Sequence, residues 1–197
     1  MPIHPRLQAL LDAHQADLSP ACAAASSKTP VIAVDTNAVL DLFYWRDPAA
    51  APLAALLAGG RVRAVRCRAG DQELALVLSR PSLGAARSQR KADFSAPSEE
   101  ALPELEKRVE ALSSWLAAAS PVGGEALQAA RSALSAAKIF CRDPEDQKFL
   151  ELGAAARAAL LVTKDRLVLK ALKKTARAFG LAGAAPADAP AKLGFRL

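Results

Sequence analysis

Residue types that commonly carry chemistry are scarce in this chain of 197 residues: three cysteines, two histidines, and aromatics at only 5%. Cys22, Cys67 and Cys141 are odd in number and widely spaced, which argues against a disulfide framework and against a zinc site. They read as reduced, mostly buried thiols. His4 and His14 both lie near the N-terminus with no serine motif or partner acid beside them, so catalysis through a histidine base is not expected. Long apolar runs are also missing: "ACAAAS" is too short to span a bilayer, and "AALLVT" runs straight into Lys164 and Asp165. The first residues carry Asp12 and Asp17 around Leu7, Leu10 and Leu11, without the basic-then-apolar order of a secretory signal. A cytoplasmic protein with no membrane partner is the expectation.

What is present is ordinary for one globular domain with a real core: 52% hydrophobic and 23% charged residues. Much of the apolar share is alanine, so the core should be rich in helix. Lys and Arg outnumber Asp and Glu by 26 to 20, for a formal charge of +6. A basic surface favours polyanions, nucleic acid first.

Read along the chain, residues 1–30 are a short helix and a loop of small residues, "SPACAAASSKTP", treated as an N-terminal extension. Strand one is "VIAV", residues 31–34, a short apolar run of the buried kind. A helix follows over 36–44, then another in "APLAALLAGG", stopped by Gly59 and Gly60. "RVRAV", residues 61–65, alternates basic and apolar residues and predicts a second strand with one solvated face. "GDQELALVLSRP" is helical, and residues 84–98 are a polar, basic loop. Leu102, Leu105, Val109, Leu112 and Leu116 form one stripe of the next helix, a core face or else a dimer seam. A helix over 124–136 leads to "AKIF", residues 137–140, the expected third strand. "DPEDQKFLELGAAARA" is helical, "ALLVT" is a fourth buried strand, and "DRLVLKALKKTARAFG" is a helix with a basic outer face. A short fifth strand is expected near residues 181–185. Strands alternating with helices predict a three-layer α/β/α domain over 31–185, with a central parallel sheet of four to five strands. Residues 186–197 form a tail.

Acids follow the strands. Asp35 follows strand one, Asp143 and Asp146 follow the expected strand three, and Asp165 follows strand four, while Glu73 comes early in the helix after strand two. In a parallel sheet these carboxyl ends share one edge, where ligands bind in open α/β sheets. Each acid also precedes or opens a helix, and Asp is a favoured N-cap; in "DPED" Asp143 suits the cap, with Pro144 at the first position. Capping explains the acids singly but not their convergence. Two carboxylates about 4 Å apart repel by roughly 4 kcal/mol at an effective dielectric near 20. A cation relieves this, and oxygen-only donors suit Mg²⁺ or Mn²⁺, ions that assist in-line displacement at a phosphodiester.

"VIAVDTNAVLDLFYWRDP", "ELALVLSRP", "CRDPEDQKFLEL" and "LLVTKDRLVLK" together resemble the PIN-domain proteins, which include the toxin nucleases of bacterial toxin–antitoxin pairs. The resemblance covers residues 31–180, with "D-T-N", "D-x-x-D-x-K-F-L" and "T-x-D" in the family's order. It implies an acidic quartet, Asp35, Glu73, Asp146 and Asp165, that binds Mg²⁺ or Mn²⁺ and cleaves RNA. Asn37 and Thr163 match positions that support the site by hydrogen bonds, and Asp143 matches an auxiliary acid. Many relatives carry a further acid two residues after the "T-x-D" aspartate, where this chain has Leu167. A homodimer and a small antitoxin protein are the partners the resemblance implies.

Arg142, Lys148, Lys164 and Arg166 flank the acids and are expected to position RNA phosphates, with Lys170, Lys173 and Lys174 beyond them on the last long helix. Tyr44, Trp45 and Trp115 are read as core or subunit contacts rather than base-stacking groups. Particular residues bear on three other readings. A haloacid-dehalogenase-type phosphohydrolase needs an acid two residues after the nucleophilic Asp, where this chain has Asn37. Rossmann and P-loop proteins need a glycine-rich loop after strand one, and "DTNAV" has none. A non-catalytic RNA-binding domain on the same fold stays open at this point, since fold does not imply function.

Overall fold

In the computed structural model, which describes residues 1–15, 29–83 and 102–195, the central strand sends its side chains to two different cores. Ile32 and Val34 of β1 (Val31–Val34) join one apolar cluster and Ala33 the other. The same period-two split divides Ala64 from Val65 in β2 (Arg63–Arg66), and Leu160 and Val162 from Leu161 in β4 (Leu160–Val162). Strands buried on both faces need helices on both faces. With β3 (Ala119–Pro121) and β5 (Ala182–Ala184) they form an all-parallel five-stranded sheet of order β3-β2-β1-β4-β5.

One cluster is closed by α1 (Pro5–Gln15), α2 (Thr36–Val39), α3 (Ala51–Ala58), α4 (Arg68–Leu78) and α5 (Leu102–Ala118), with Ala189 of the short α9 (Ala189–Lys192). The other is closed by α6 (Gly124–Ala136), α7 (Gln147–Ala155) and α8 (Arg166–Phe179). This is the expected α/β/α arrangement. Gly180, at φ 71°, ends α8 in the left-handed conformation that glycine adopts without strain.

Four details differ from the sequence reading. Residues 137–140 are not a strand. Ile139 and Cys141 are buried, but the amides of Lys138 and Ile139 donate back to the Ser135 and Leu134 carbonyls at 3.0 and 2.9 Å. One side chain meets the rest: Gln147 Oε1 accepts from the Cys141 amide at 2.7 Å, and Gln147 Nε2 donates to the Ile139 carbonyl at 3.5 Å. A short apolar run looks the same whether a strand or a side chain satisfies it. The third strand is instead Ala119–Pro121 at the sheet edge, where proline is tolerated.

The second strand's "solvated face" is also incomplete, because Arg66 is buried, donating to Asp71 Oδ2 at 2.7 Å and to the Ala119 carbonyl at 3.1 Å. On α5, Leu112 and Leu116 reach the core with Ala111, Trp115 and Arg108, whereas Leu102 is exposed. Finally, α1 is packed into the body: Leu7 and Leu11 are buried in the first cluster beside α4 and α5. Tyr44 and Trp115 are buried, and Trp45 is partly exposed. Cys67 and Cys141 are free and buried; Cys22, the rest of the small-residue loop through residue 28 and the loop over 84–98 lie outside the described residues.

Candidate active site

Parallel pairing decides which residues meet at the carboxyl edge. The Asp35 amide donates to the Val162 carbonyl at 3.0 Å, so the residue after β1 lies beside the residue after β4. There the Thr163 hydroxyl donates to Asp35 Oδ2 and accepts from the Asp165 amide at 3.0 Å. One buried threonine thus fixes two of the predicted acids. Asp35 also caps α2: its Oδ1 accepts from the amides of Asn37 at 2.6 Å and Ala38 at 3.3 Å. Asp165 caps α8 through Oδ1, from the amides of Leu167 at 2.6 Å and Val168 at 3.1 Å. Asp143 caps the turn Pro144–Asp146, accepting from the Glu145 amide at 2.9 Å. Capping does not isolate these acids, since the charges of Asp143, Asp165 and Asp35 all still act on Asp146. Asn37 contributes through its backbone amide, its side chain being exposed.

The charges act on one another. Burial pushes the Asp35 carboxyl above its ordinary range, the hydrogen bonds from Thr163 and the two amides pull it down, and the Glu73 charge raises it further. Asp146 is raised to about 6, first by burial and then by the charges of Asp143, Asp165 and Asp35, against a lowering by Lys148. Its half-buried carboxylate accepts no hydrogen bond among the described residues. Burial is also the main cause of the rise at Cys67 and Cys141, which keeps both thiols protonated at neutral pH.

Two of the four cations assigned to RNA phosphates point elsewhere. The Lys148 ammonium is ion-paired with Glu73 at 2.6 Å and also donates to the Glu145 carbonyl, and Lys164 pairs with Asp41 at 2.5 Å. Both sit among carboxylates, whose attraction at contact distance outweighs that of an outlying phosphate. Arg142 and Arg166 stay exposed, without an acid partner among the described residues. Asp41 was missed from the sequence. It is buried in a π-helical turn, Leu40–Tyr44, of the kind that recurs at functional sites. The available signal was a lone acid inside the apolar run "AVLDLFY".

The donor set suits a hard divalent cation. It is all oxygen, it repels itself, and Asp146 is a half-buried acid with no donor, so a cation beside it would offset both burdens. Among the described residues, no three His, Cys, Asp or Glu side chains already form a cage for an ion. Asp35 and Asp165 each turn an oxygen onto helix amides, and Glu73 is held by Lys148. The residues that would hold Mg²⁺ or Mn²⁺ are those four acids, with Asp143 alongside. No helix among the described residues is long and apolar enough to cross a membrane.

Comparison with known proteins finds no matching curated protein and no matching solved structure. A protein-family model, the PIN domain, does match, over residues 31–167. That span runs from the first residue of β1 to the second residue of α8 and contains every acid of the edge, and PIN domains are generally nucleases. With more than half of the chain matched, and a five-stranded all-parallel sheet flanked by helices on both faces, the protein belongs to the PIN domain family.

Proposed function

We propose that this protein is a ribonuclease that hydrolyses RNA phosphodiester bonds with Mg²⁺ or Mn²⁺ held by Asp35, Glu73, Asp146 and Asp165. The observation that carries the reading is Asp146: a half-buried carboxylate without a donor, raised to about 6 by burial and by Asp143, Asp165 and Asp35. Acids crowded at such a cost cluster at functional sites.

When bound, the cation supplies charge neutralisation for the scissile phosphodiester and makes water a better nucleophile. Thr163 holds one carboxylate oxygen of Asp35 and fixes the Asp165 backbone. Lys148 holds Glu73 in place and lessens the repulsion around Asp146. Asp146 itself is raised to about 6, so it is mostly ionised at neutral pH. Arg142 and Arg166 face solvent, where they meet RNA phosphates. The proposal extends to a toxin role, in which a small antitoxin protein covers the acids.

The test is cleavage of RNA by purified protein with Mg²⁺ or Mn²⁺, with EDTA, and by an Asp146→Asn variant purified in the same way. Cleavage that needs metal and disappears in the variant is the expected result. Equal activity in both preparations identifies a contaminant. RNA bound in EDTA but never cut under any condition points to a binding domain instead.

A further inference from the structure

The outer face of α8 has a charge pattern that neither packing nor helix stability explains. Arg166, Lys170, Lys173, Lys174 and Arg177 recur at steps of four, three, one and three residues, which puts all five on one stripe of the helix. All five are exposed, while Val168, Leu172 and Thr175 on the other side are buried. The 14 residues of α8 contain no Asp or Glu. None of the five has an acid partner among the described residues, unlike Arg6, Arg46, Arg131 and Lys164, which each hold a carboxylate. Arg61, Arg142, Arg157 and Lys192 are likewise exposed without one, so it is the gathering of five on one face that sets α8 apart.

A solvated helix face normally intersperses acids four residues from its cations, and like charges at that spacing weaken the helix. The helix dipole accounts for Arg177 in the last turn but works against Arg166 and Lys170 in the first half. The stripe is therefore maintained against its own repulsion. It also has a direction. It starts at Arg166, next to Asp165 at the acid edge, and runs along a helix of roughly 21 Å, long enough to face several successive phosphates of one strand.

We propose that this face is a docking track for the phosphate backbone of RNA, leading the strand along α8 toward the acids around Asp165. The identity of the polyanion rests on the ribonuclease reading, but the track does not depend on cleavage. Contacts of this kind go to phosphates and give affinity without base preference.

Binding of a fluorescent, unstructured 20-nucleotide oligouridylate is measured in EDTA between 50 and 200 mM salt, in an Asp146→Asn background so that nothing is cut. The stripe variant is K170Q/K173Q/K174Q. The control, R61Q/R157Q/K192Q, removes the same charge from exposed positions off α8, and a third variant, K170R/K173R/K174R, keeps the charge. At about 0.7 counterions released per contact on a single strand, the stripe variant should bind about 10²-fold more weakly at 0.1 M salt, its log–log slope shallower by about 2. The control and the arginine variant should bind like the parent. Equal weakening in the stripe variant and the control, or none in either, overturns the track, because the effect is then one of net charge or of another surface. Loss in the arginine variant overturns it too, as does binding to phosphatidylglycerol vesicles with none to RNA. Cleavage by the wild-type protein is assayed separately. RNA that binds through the stripe but is never cut defeats the ribonuclease reading alone, and RNA that is cut without regard to the stripe defeats this one alone.

Discussion

The Thr163 hydroxyl donates to Asp35 Oδ2 across 128 positions of sequence, tying the end of β4 to the end of β1 at the acid edge. Thr163 is fully buried and also accepts from the Asp165 amide, so its oxygen is a donor to one acid and an acceptor for the other. Thr163→Val keeps the shape and removes both bonds. Leaving a buried carboxylate oxygen and an amide unmet should cost about 1–3 kcal/mol, read by urea denaturation. RNA cleavage should fall more steeply than this stability loss accounts for, and Thr163→Ser should restore most of it. A Val variant as active and as stable as the parent would show that the hydroxyl is dispensable.

Lys148 and Glu73 form a second internal pair, 2.6 Å apart and mostly shielded from solvent. In metal-free buffer, Lys148→Met should lower the melting temperature, because Glu73 then keeps a charge with no partner. Double-mutant cycles with Glu73→Gln should give a coupling on the order of 1 kcal/mol. Added Mn²⁺ should raise the melting temperature of Lys148→Met by more than that of the parent, since the ion meets a carboxylate the lysine has released. No coupling in the cycle would return Lys148 to the role of an RNA contact.

Leu7 tests whether α1 is structural. Its side chain has no exposure in the first core cluster, so Leu7→Ala should cost about 2–5 kcal/mol in denaturant unfolding, as for any core leucine. A cost near zero would make α1 an appendage.

Arg66 is bound to Asp71, which also accepts from Trp115 Nε1 at 3.0 Å; burial raises the Asp71 carboxyl and Arg66 pulls it back. Arg66→Met leaves Asp71 buried without its cation, a loss of about 3–5 kcal/mol. An Arg66→Met/Asp71→Leu pair should recover much of that stability, whereas the two changes adding independently would argue against a coupled pair.

The sheet and the strand-end positions of Asp35 and Asp165 were legible because two local signals agree on them, whereas Asp143 and Asp146 follow no strand. Apolar runs such as "VIAV" and "ALLVT" mark strands, and an acid right after a strand marks an edge only when the strands are parallel. What stayed hidden depends on partners distant in sequence. "RVRAVRCRAGDQE" gives no sign that Arg66 turns inward, since that follows from Asp71 and the Ala119 carbonyl being nearby. "AKIF" has the composition of a strand, but its amides donate back to the last carbonyls of α6 and Gln147 takes up what remains. Lys148 and Lys164 look like phosphate-binding residues in a list of charges, and the fold gives them acids. The three-residue β3 has no periodicity to read at all.

Asp146 makes the stability of the metal-free protein depend on pH in a defined window. An unfolded Asp titrates near 3.9, while folded Asp146 titrates at about 6. Between those values the folded state holds a proton that the unfolded state has lost, so stability from this group falls as pH rises from about 4 to about 6 and is level above that. Asp146→Asn removes the slope. The variant should match the parent near pH 4 and exceed it in melting temperature at pH 7 in EDTA. Mn²⁺ should reverse the order at pH 7 by stabilising the parent alone, and should do little at pH 5, where the ion must displace the Asp146 proton to bind. Parallel pH profiles for parent and variant in EDTA would mean that Asp146 is not the strained member of the set, and the observation on which the metal reading rests would be lost.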